Sequence, residues 1–278
     1  MLASALRFIR FSHTVFALPF ALGSMLVAAH GLPGWRLTGL ILLAMVFART
    51  AAMTFNRIAD WEMDKRNPRT EARHKLLPYR AAMAMLVISS AAFVAVTYAI
   101  NALCFWLSPV ALVIVFFYSL TKRFTHAAQF FLGLALSVAP VGAWLAVTGA
   151  FAFPPLVLAA AVLLWVAGFD LIYATQDHDF DKAEGLHSMV VKLGVPGALR
   201  LARVLHTAAF AGLIAFGYFA GLGTGYAVAS VFICGMLLYE HRVAAQLDVA
   251  AVNRAFFLSN AIVGALFVAG VAVDVFSR

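Results

Sequence analysis

Two acidic clusters hold the residues of this chain best suited to chemistry. One is Asn56-x-x-x-Asp60-x-x-x-Asp64; the other is Asp177-x-x-x-Asp181, preceded by Asp170 and Tyr173. Spacing of four returns side chains to one face of a helix. At about 100° per residue, Arg49, Asn56, Asp60 and Asp64 share a stripe about 80° wide, and Asp170, Asp177 and Asp181 form a matching one that excludes Asp179. Carboxylates one turn apart repel each other, and a hard divalent cation offsets that repulsion. Mg2+ accepts a few carboxylate oxygens and keeps its remaining positions for water and substrate phosphate. The alternative is a solvated face whose carboxylates pair with nearby arginines. That alternative suits a single motif; two such motifs on equivalent helices favour the metal.

Basic residues stand where an anion would need them. Pro68 ends the helix near Asn67, so Arg69 and Arg73 can fold back over the acidic cluster. Lys122 and Arg123 close another run at the same membrane face. Cationic side chains beside acidic metal sites suit a diphosphate, whose charge exceeds what two metal ions neutralise. For Lys75 and Arg80 the positive-inside bias is explanation enough. Arg49 differs, because it lies within an apolar run, where an unpaired guanidinium costs several kcal/mol. It is expected to face the carboxylate cavity with Asp170 as a partner. Tyr118-Ser119 ends its run at the same face, where a tyrosine ring can stabilise a nascent carbocation or anchor in the interfacial belt.

The elements that must position these groups are membrane helices. The chain has 278 residues, 64% hydrophobic and 12% charged, with a mean hydropathy of +0.94. A soluble domain of that size could not hide so much apolar surface. Cutting the apolar runs at Gly, Pro and polar clusters predicts nine spans, roughly 12–30, 37–57, 81–99, 102–120, 127–149, 153–175, 201–220, 223–240 and 255–275. Lys and Arg crowd alternate connections, leaving only Arg36 and Arg278 for the other side, so the N-terminus is expected in the cytoplasm. The +8 formal charge follows from that bias and does not call for nucleic acid. Nothing resembles a linker, which predicts one all-α membrane domain over residues 1–278 with an uncleaved first helix. Cys104 and Cys234 lie in apolar runs and are expected to be buried free thiols. Gly217-x-x-x-Gly221 marks helix packing or the end of a span.

With those residues in place, the chain resembles the UbiA superfamily of intramembrane prenyltransferases. Asn56-Arg57-x-x-Asp60-x-x-x-Asp64 is similar to the family's NDxxDxxxD, with Arg57 in place of its second residue. Tyr173-Ala-Thr-Gln-Asp177-His-Asp-Phe-Asp181 is similar to YxxxDxxxD. Arg69-Thr70-x-x-Arg73, Leu77-Pro78, Tyr118-Ser-Leu-Thr-Lys122-Arg123 and the opening Arg10-Phe-Ser-His13 also match, so the likeness spans nearly the whole chain. It implies a nine-helix bundle around a cavity open sideways to lipid, in the cytoplasmic membrane, with the site at the cytoplasmic face. It implies two Mg2+ ions held by Asn56, Asp60, Asp64, Asp177 and Asp181. Arg69, Arg73, Lys122 and Arg123 are then implied diphosphate contacts. Arg49, Ser119, Asp170 and Tyr173 are expected to line the substrate cavity, with Tyr118 near the reacting carbon. The partners implied are a polyprenyl diphosphate, an aromatic acceptor and the lipid bilayer. The motif wording is most like the branch acting in futalosine-type menaquinone synthesis, with the 4-hydroxybenzoate polyprenyltransferases of ubiquinone synthesis close behind.

Two other classes compete. A cation-coupled transporter would place its carboxylates near the bilayer midplane on broken helices. Here most sit at the cytoplasmic ends of helices, with only Arg49 and Asp170 deeper. A CDP-alcohol phosphotransferase would group its aspartates in one D-G-x-x-A-R stretch, which this sequence lacks.

Overall fold

The computed structural model describes residues 2–9, 16–66, 70–246 and 248–278. Helix is the only extended regular structure among them. Twelve α-helices follow in order: α1 (Leu2–Phe8), α2 (Leu18–Ala29), α3 (Trp35–Ala59), α4 (Trp61–Arg66), α5 (Tyr79–Ile100), α6 (Ala102–Thr121), α7 (Ala128–Thr148), α8 (Phe153–Ala174), α9 (His178–Ala183), α10 (Met189–Phe219), α11 (Thr224–Ala244) and α12 (Val249–Phe276). The physical reason is the solvent. In hydrocarbon every backbone N–H and C=O must find an internal partner, and a helix supplies those partners within one segment.

Eight helices are long and apolar enough to cross a bilayer: α3, α5, α6, α7, α8, α10, α11 and α12. They match eight of the nine expected spans. The expected first span, 12–30, appears as α2, a helix of 12 residues, about 18 Å long at 1.5 Å per residue. Residues 10–15, including Arg10 and His13, lie outside the described residues. The seventh span begins well before the expected residue 201. Lys192 and Arg200 lower the local hydropathy, yet the helix starts at Ser188, whose hydroxyl accepts from Val191 N–H at 3.1 Å. Gly194 then kinks α10 with φ 66°, a conformation open to glycine at no side-chain cost.

Local signals set the other boundaries. Asn101 caps α6 by accepting from Cys104 N–H at 2.8 Å, and Gly149 stops α7 in the left-handed region at φ 67°. Proline stands in the first turn of α2 and α8, where its missing N–H costs nothing.

Packing sets α8 at the centre, between α7 and α10, with α2 wedged against α7 and α12. Trp165 and Phe20 meet at a ring separation of 5.0 Å, and Phe20 meets Phe267 at 4.7 Å. At Gly133 a side chain is ruled out, because a Cβ would lie 2.3 Å from the Leu163 carbonyl oxygen of α8. Both readings of Gly217-x-x-x-Gly221 are borne out. A Cβ on Gly217 would strike the Tyr226 ring, and Gly221 has φ +65° at the end of the span. Cys104 is buried, whereas Cys234 is only half-buried, and both are free.

Two polar devices hold the second half. The Asp274 carboxylate accepts from the backbone N–H groups of Gly223, Gly225 and Tyr226 at 2.7, 2.8 and 2.9 Å, so the end of α12 caps the start of α11. Between α8, α10 and α11, His206 Nε2–H donates to the Trp165 carbonyl at 3.1 Å, and its Nδ1 lies 3.1 Å from His241 Nε2. Buried Glu240 stands 3.8 Å away.

Candidate active site

Both acidic motifs sit where a long helix gives way to a short one. α3 ends at Ala59; Asp60 takes φ −93°, ψ 10° and α4 begins at Trp61. The backbone bonds carry across the joint, with Asp60 N–H to Asn56 O at 3.0 Å and Asp64 N–H to Asp60 O at 2.7 Å. α8 likewise ends at Ala174, passes through a single tight turn at Thr175–Asp177, and resumes as α9. Neither motif therefore lies on one unbroken helix. A joint at the same place in both halves bends each motif, while the four-residue repeat keeps its side chains together.

One cavity of about 800 Å3 receives the two motifs, a size in the range of small-ligand sites. Asn56, Asp60 and Asp64 line it from α3 and α4, and Asp170, Tyr173, Asp177 and Asp181 line it from α8 and α9. Arg49, Arg73, Tyr118, Ser119 and Lys122 line it as well. Away from this end the wall becomes apolar, reaching Ile41 on α3, Ile100 on α5, Cys104 on α6 and Leu145 on α7. The fifteen residues from Asn56 back to Ile41 span about 22 Å of α3 at 1.5 Å per residue. The chamber thus has an acidic and basic head and a long apolar body.

Charges in the head are already matched. Lys122 Nζ lies 3.0 Å from Asp60 Oδ2, and Arg73 Nη1 lies 3.0 Å from Asp64 Oδ1. The fold-back of Arg73 is observed, carried by a 3-10 turn at Glu71–Lys75. Thr70 helps by donating its hydroxyl to the Asp64 carbonyl at 3.1 Å. Arg69 lies outside the described residues. Arg123 does not line the cavity; its guanidinium donates to the Ala59 carbonyl and stays 3.8 Å from Asp60 Oδ1. Asp179 has a fully exposed side chain and pairs with His178, as its position off the stripe predicts.

The donor set fits Mg2+. Asp60 and Asp64 are 4% and 8% exposed, yet Asp60 Oδ1 and Asp64 Oδ2 accept no hydrogen bond. Each carboxylate thus keeps one oxygen hydrogen-bonded to a cationic side chain and another that faces a guanidinium at 3.8 and 3.6 Å without a hydrogen bond, and hard oxygen donors of this kind suit Mg2+. Among the described residues no three His, Cys, Asp or Glu side chains form a ready cage for a metal ion. A Mg2+ ion held by one or two carboxylates, with water and phosphate completing its shell, needs no such cage.

Residues beyond the motifs also shape the site. Arg57 reaches into the first acidic motif from a buried position. In the sequence it stands only as a departure from the family's motif. Gln129, 4% exposed, lines the cavity from the start of α7, and a polar amide in an apolar span is the sequence signal for it. Arg66 and Glu184 meet at 2.8 Å, tying the segment after the first motif to the segment after the second. The cytoplasm-facing connections expected from the charge pattern also interlock here, since His187 N–H donates to the Lys122 carbonyl at 3.0 Å.

The chain is similar to several known proteins. A model of the UbiA prenyltransferase family matches residues 17–261. The 4-hydroxybenzoate octaprenyltransferase of Nitrosospira multiformis is 33% identical over 258 residues, covering 91% of this chain and 87% of that one. Among solved structures, an apo UbiA homolog from Aeropyrum pernix K1 superposes with a TM-score of 0.85 at 33% identity, covering 94% of this chain and 98% of that one. A UbiA homolog from Archaeoglobus fulgidus, solved bound to GPP and Mg2+, shares the fold with a TM-score of 0.77 at 24% identity, covering 99% of this chain and 100% of that one.

Proposed function

Because the chain belongs to the UbiA prenyltransferase family, a family of multi-pass membrane enzymes, we propose that it transfers a polyprenyl group from a prenyl diphosphate to an aromatic acceptor in a Mg2+-dependent reaction. The observation that carries this reading is the pair of acidic motifs lining one cavity whose far wall is apolar.

Each part of the chamber has a task under this reading. Asn56, Asp60, Asp64, Asp177 and Asp181 would hold two Mg2+ ions. Bound there, Mg2+ would supply Lewis-acid stabilisation of the negative charge that develops on the diphosphate as the allylic C–O bond breaks. Lys122 and Arg73 swing from their carboxylates to the diphosphate oxygens, and Arg69 and Arg123 complete the cationic rim. The apolar stretch toward Ile41 and Cys104 takes the prenyl chain. Tyr118 presents its ring face to the allylic cation, and the surrounding apolar wall keeps water from it. Arg49, Asp170, Tyr173 and Ser119 lie beside the head, where the acceptor ring must come to be alkylated. The curated relative is named for 4-hydroxybenzoate, which favours that acceptor. The menaquinone-precursor reading rests on motif resemblance alone.

The test is purified protein with geranyl diphosphate and 4-hydroxybenzoate, 1,4-dihydroxy-2-naphthoate or a futalosine derivative, with Mg2+ or EDTA. Prenylation of one ring compound that disappears with EDTA is the expected result. Metal-independent turnover, or none with any aromatic acceptor, would count against the reading.

The reading also places the site at the cytoplasmic face of the inner membrane, with α2 as a ninth crossing and the N-terminus inside. A reporter fused after Arg278 is then expected to be active only outside the cytoplasm. A cytoplasmic reporter would leave eight crossings and remove α2 from the count.

A further inference from the structure

Arg57 stands among the proposed metal ligands, where the reading above gives it no task. Its Nη1 lies 3.5 Å from Asn56 Oδ1 and 3.6 Å from Asp64 Oδ2. From the other edge its Nε–H donates to the Phe8 carbonyl at 3.3 Å. The cations around the first motif therefore differ in freedom. The side chains of Arg73, Lys122 and Arg123 are 19%, 34% and 44% exposed and spring from loops or helix ends, whereas that of Arg57 is 6% exposed within α3. The first three can transfer to an arriving diphosphate. Arg57 is held on both sides, by Phe8 of α1 and by the motif itself.

We infer that Arg57 is a positioning residue that keeps one positive charge inside the first acidic motif in every state, so that this motif takes up a divalent ion only together with the diphosphate. A fixed guanidinium near the metal position repels a second cation, and strongly so where water is scarce. The diphosphate anion restores the balance and brings the oxygens that complete the metal's shell. The second motif, lined by Asp177 and Asp181, has no equivalent arginine in its sequence and can load first.

The inference rests on the proposed metal reading, and one experiment separates their failures. Mn2+ binding to the purified full chain is followed by electron paramagnetic resonance, with and without inorganic diphosphate. The unaltered chain is expected to bind one Mn2+ without diphosphate and two with it, and Asp64→Asn should remove the diphosphate-dependent ion. Asp177→Asn should weaken binding in both conditions. Arg57→Asn is expected to gain a second diphosphate-independent ion and to lower the half-saturating Mn2+ about tenfold, whereas Arg57→Lys, which keeps the charge, should behave like the unaltered chain. Two ions bound to the unaltered chain without diphosphate, or the same titration for Arg57→Asn, would overturn the inference and leave the metal reading standing. No Mn2+ bound under any condition would overturn both. Should Arg57→Asn fail to fold, the Asp64→Asn comparison decides alone.

Discussion

Asp60→Asn and Asp177→Asn are each expected to reduce prenyl transfer by about a thousandfold or more, equivalent to about 4 kcal/mol of transition-state stabilisation, while the protein folds as before. Asn is nearly isosteric with Asp, so packing at either position hardly changes. What changes is charge and donor strength. Asp60 is buried and offers one oxygen to Lys122 Nζ at 3.0 Å and another that accepts no hydrogen bond. The neutral amide loses the attraction to both the lysine and the metal. Asp177 enters the same cavity from the far side, at the tight turn between α8 and α9. Residues that act as one unit are not additive in their effects, so the double variant is expected to be barely worse than either single one. Turnover with geranyl diphosphate across a Mg2+ series is the measurement, alongside a thermal melt to confirm folding. Full activity in either variant would remove the metal assignment.

The second large effect concerns the cations. Lys122→Ala and Arg73→Ala are each expected to raise KM for the prenyl diphosphate by roughly 10- to 100-fold, the scale of a charge-assisted hydrogen bond to phosphate. Both side chains rest on carboxylates, at 3.0 Å from Asp60 and from Asp64. These ion pairs set a resting state in which the carboxylates are satisfied before substrate arrives. Removing a cation therefore has two opposed consequences. It weakens the grip on the diphosphate, and it frees a carboxylate to bind metal more readily. KM for prenyl diphosphate should rise while the Mg2+ requirement falls, a split that loss of folding would not produce. Parallel rises in both would show that these residues serve only to hold the carboxylates in place.

Membrane character was legible at once. Apolar run length is a property of short windows, and it located eight helices long and apolar enough to cross a bilayer to within a few residues at most ends. The error at α10 has a local cause. Lys192 and Arg200 depress hydropathy, but hydropathy does not set where a helix begins, and the Ser188 cap is what marks its start. Both acidic motifs were also plain, since a four-residue repeat needs only helical periodicity to be recognised.

Residue order alone thus reveals a helical membrane chain with a matched carboxylate device at the ends of two of its spans. That the two devices share one chamber follows from packing between distant helices. Lys122 reaches Asp60 across 62 residues of sequence and Arg57 reaches Phe8 across 49, pairings that no local periodicity encodes. The same holds for Asp274, which caps α11 from 49 residues away, and for the joints at Asp60 and Thr175 that aim the carboxylates inward. Helical periodicity and hydropathy act over a few turns. Which charge meets which depends on how whole helices pack, and that is settled only when the apolar bodies of α3, α7 and α8 close around the cavity.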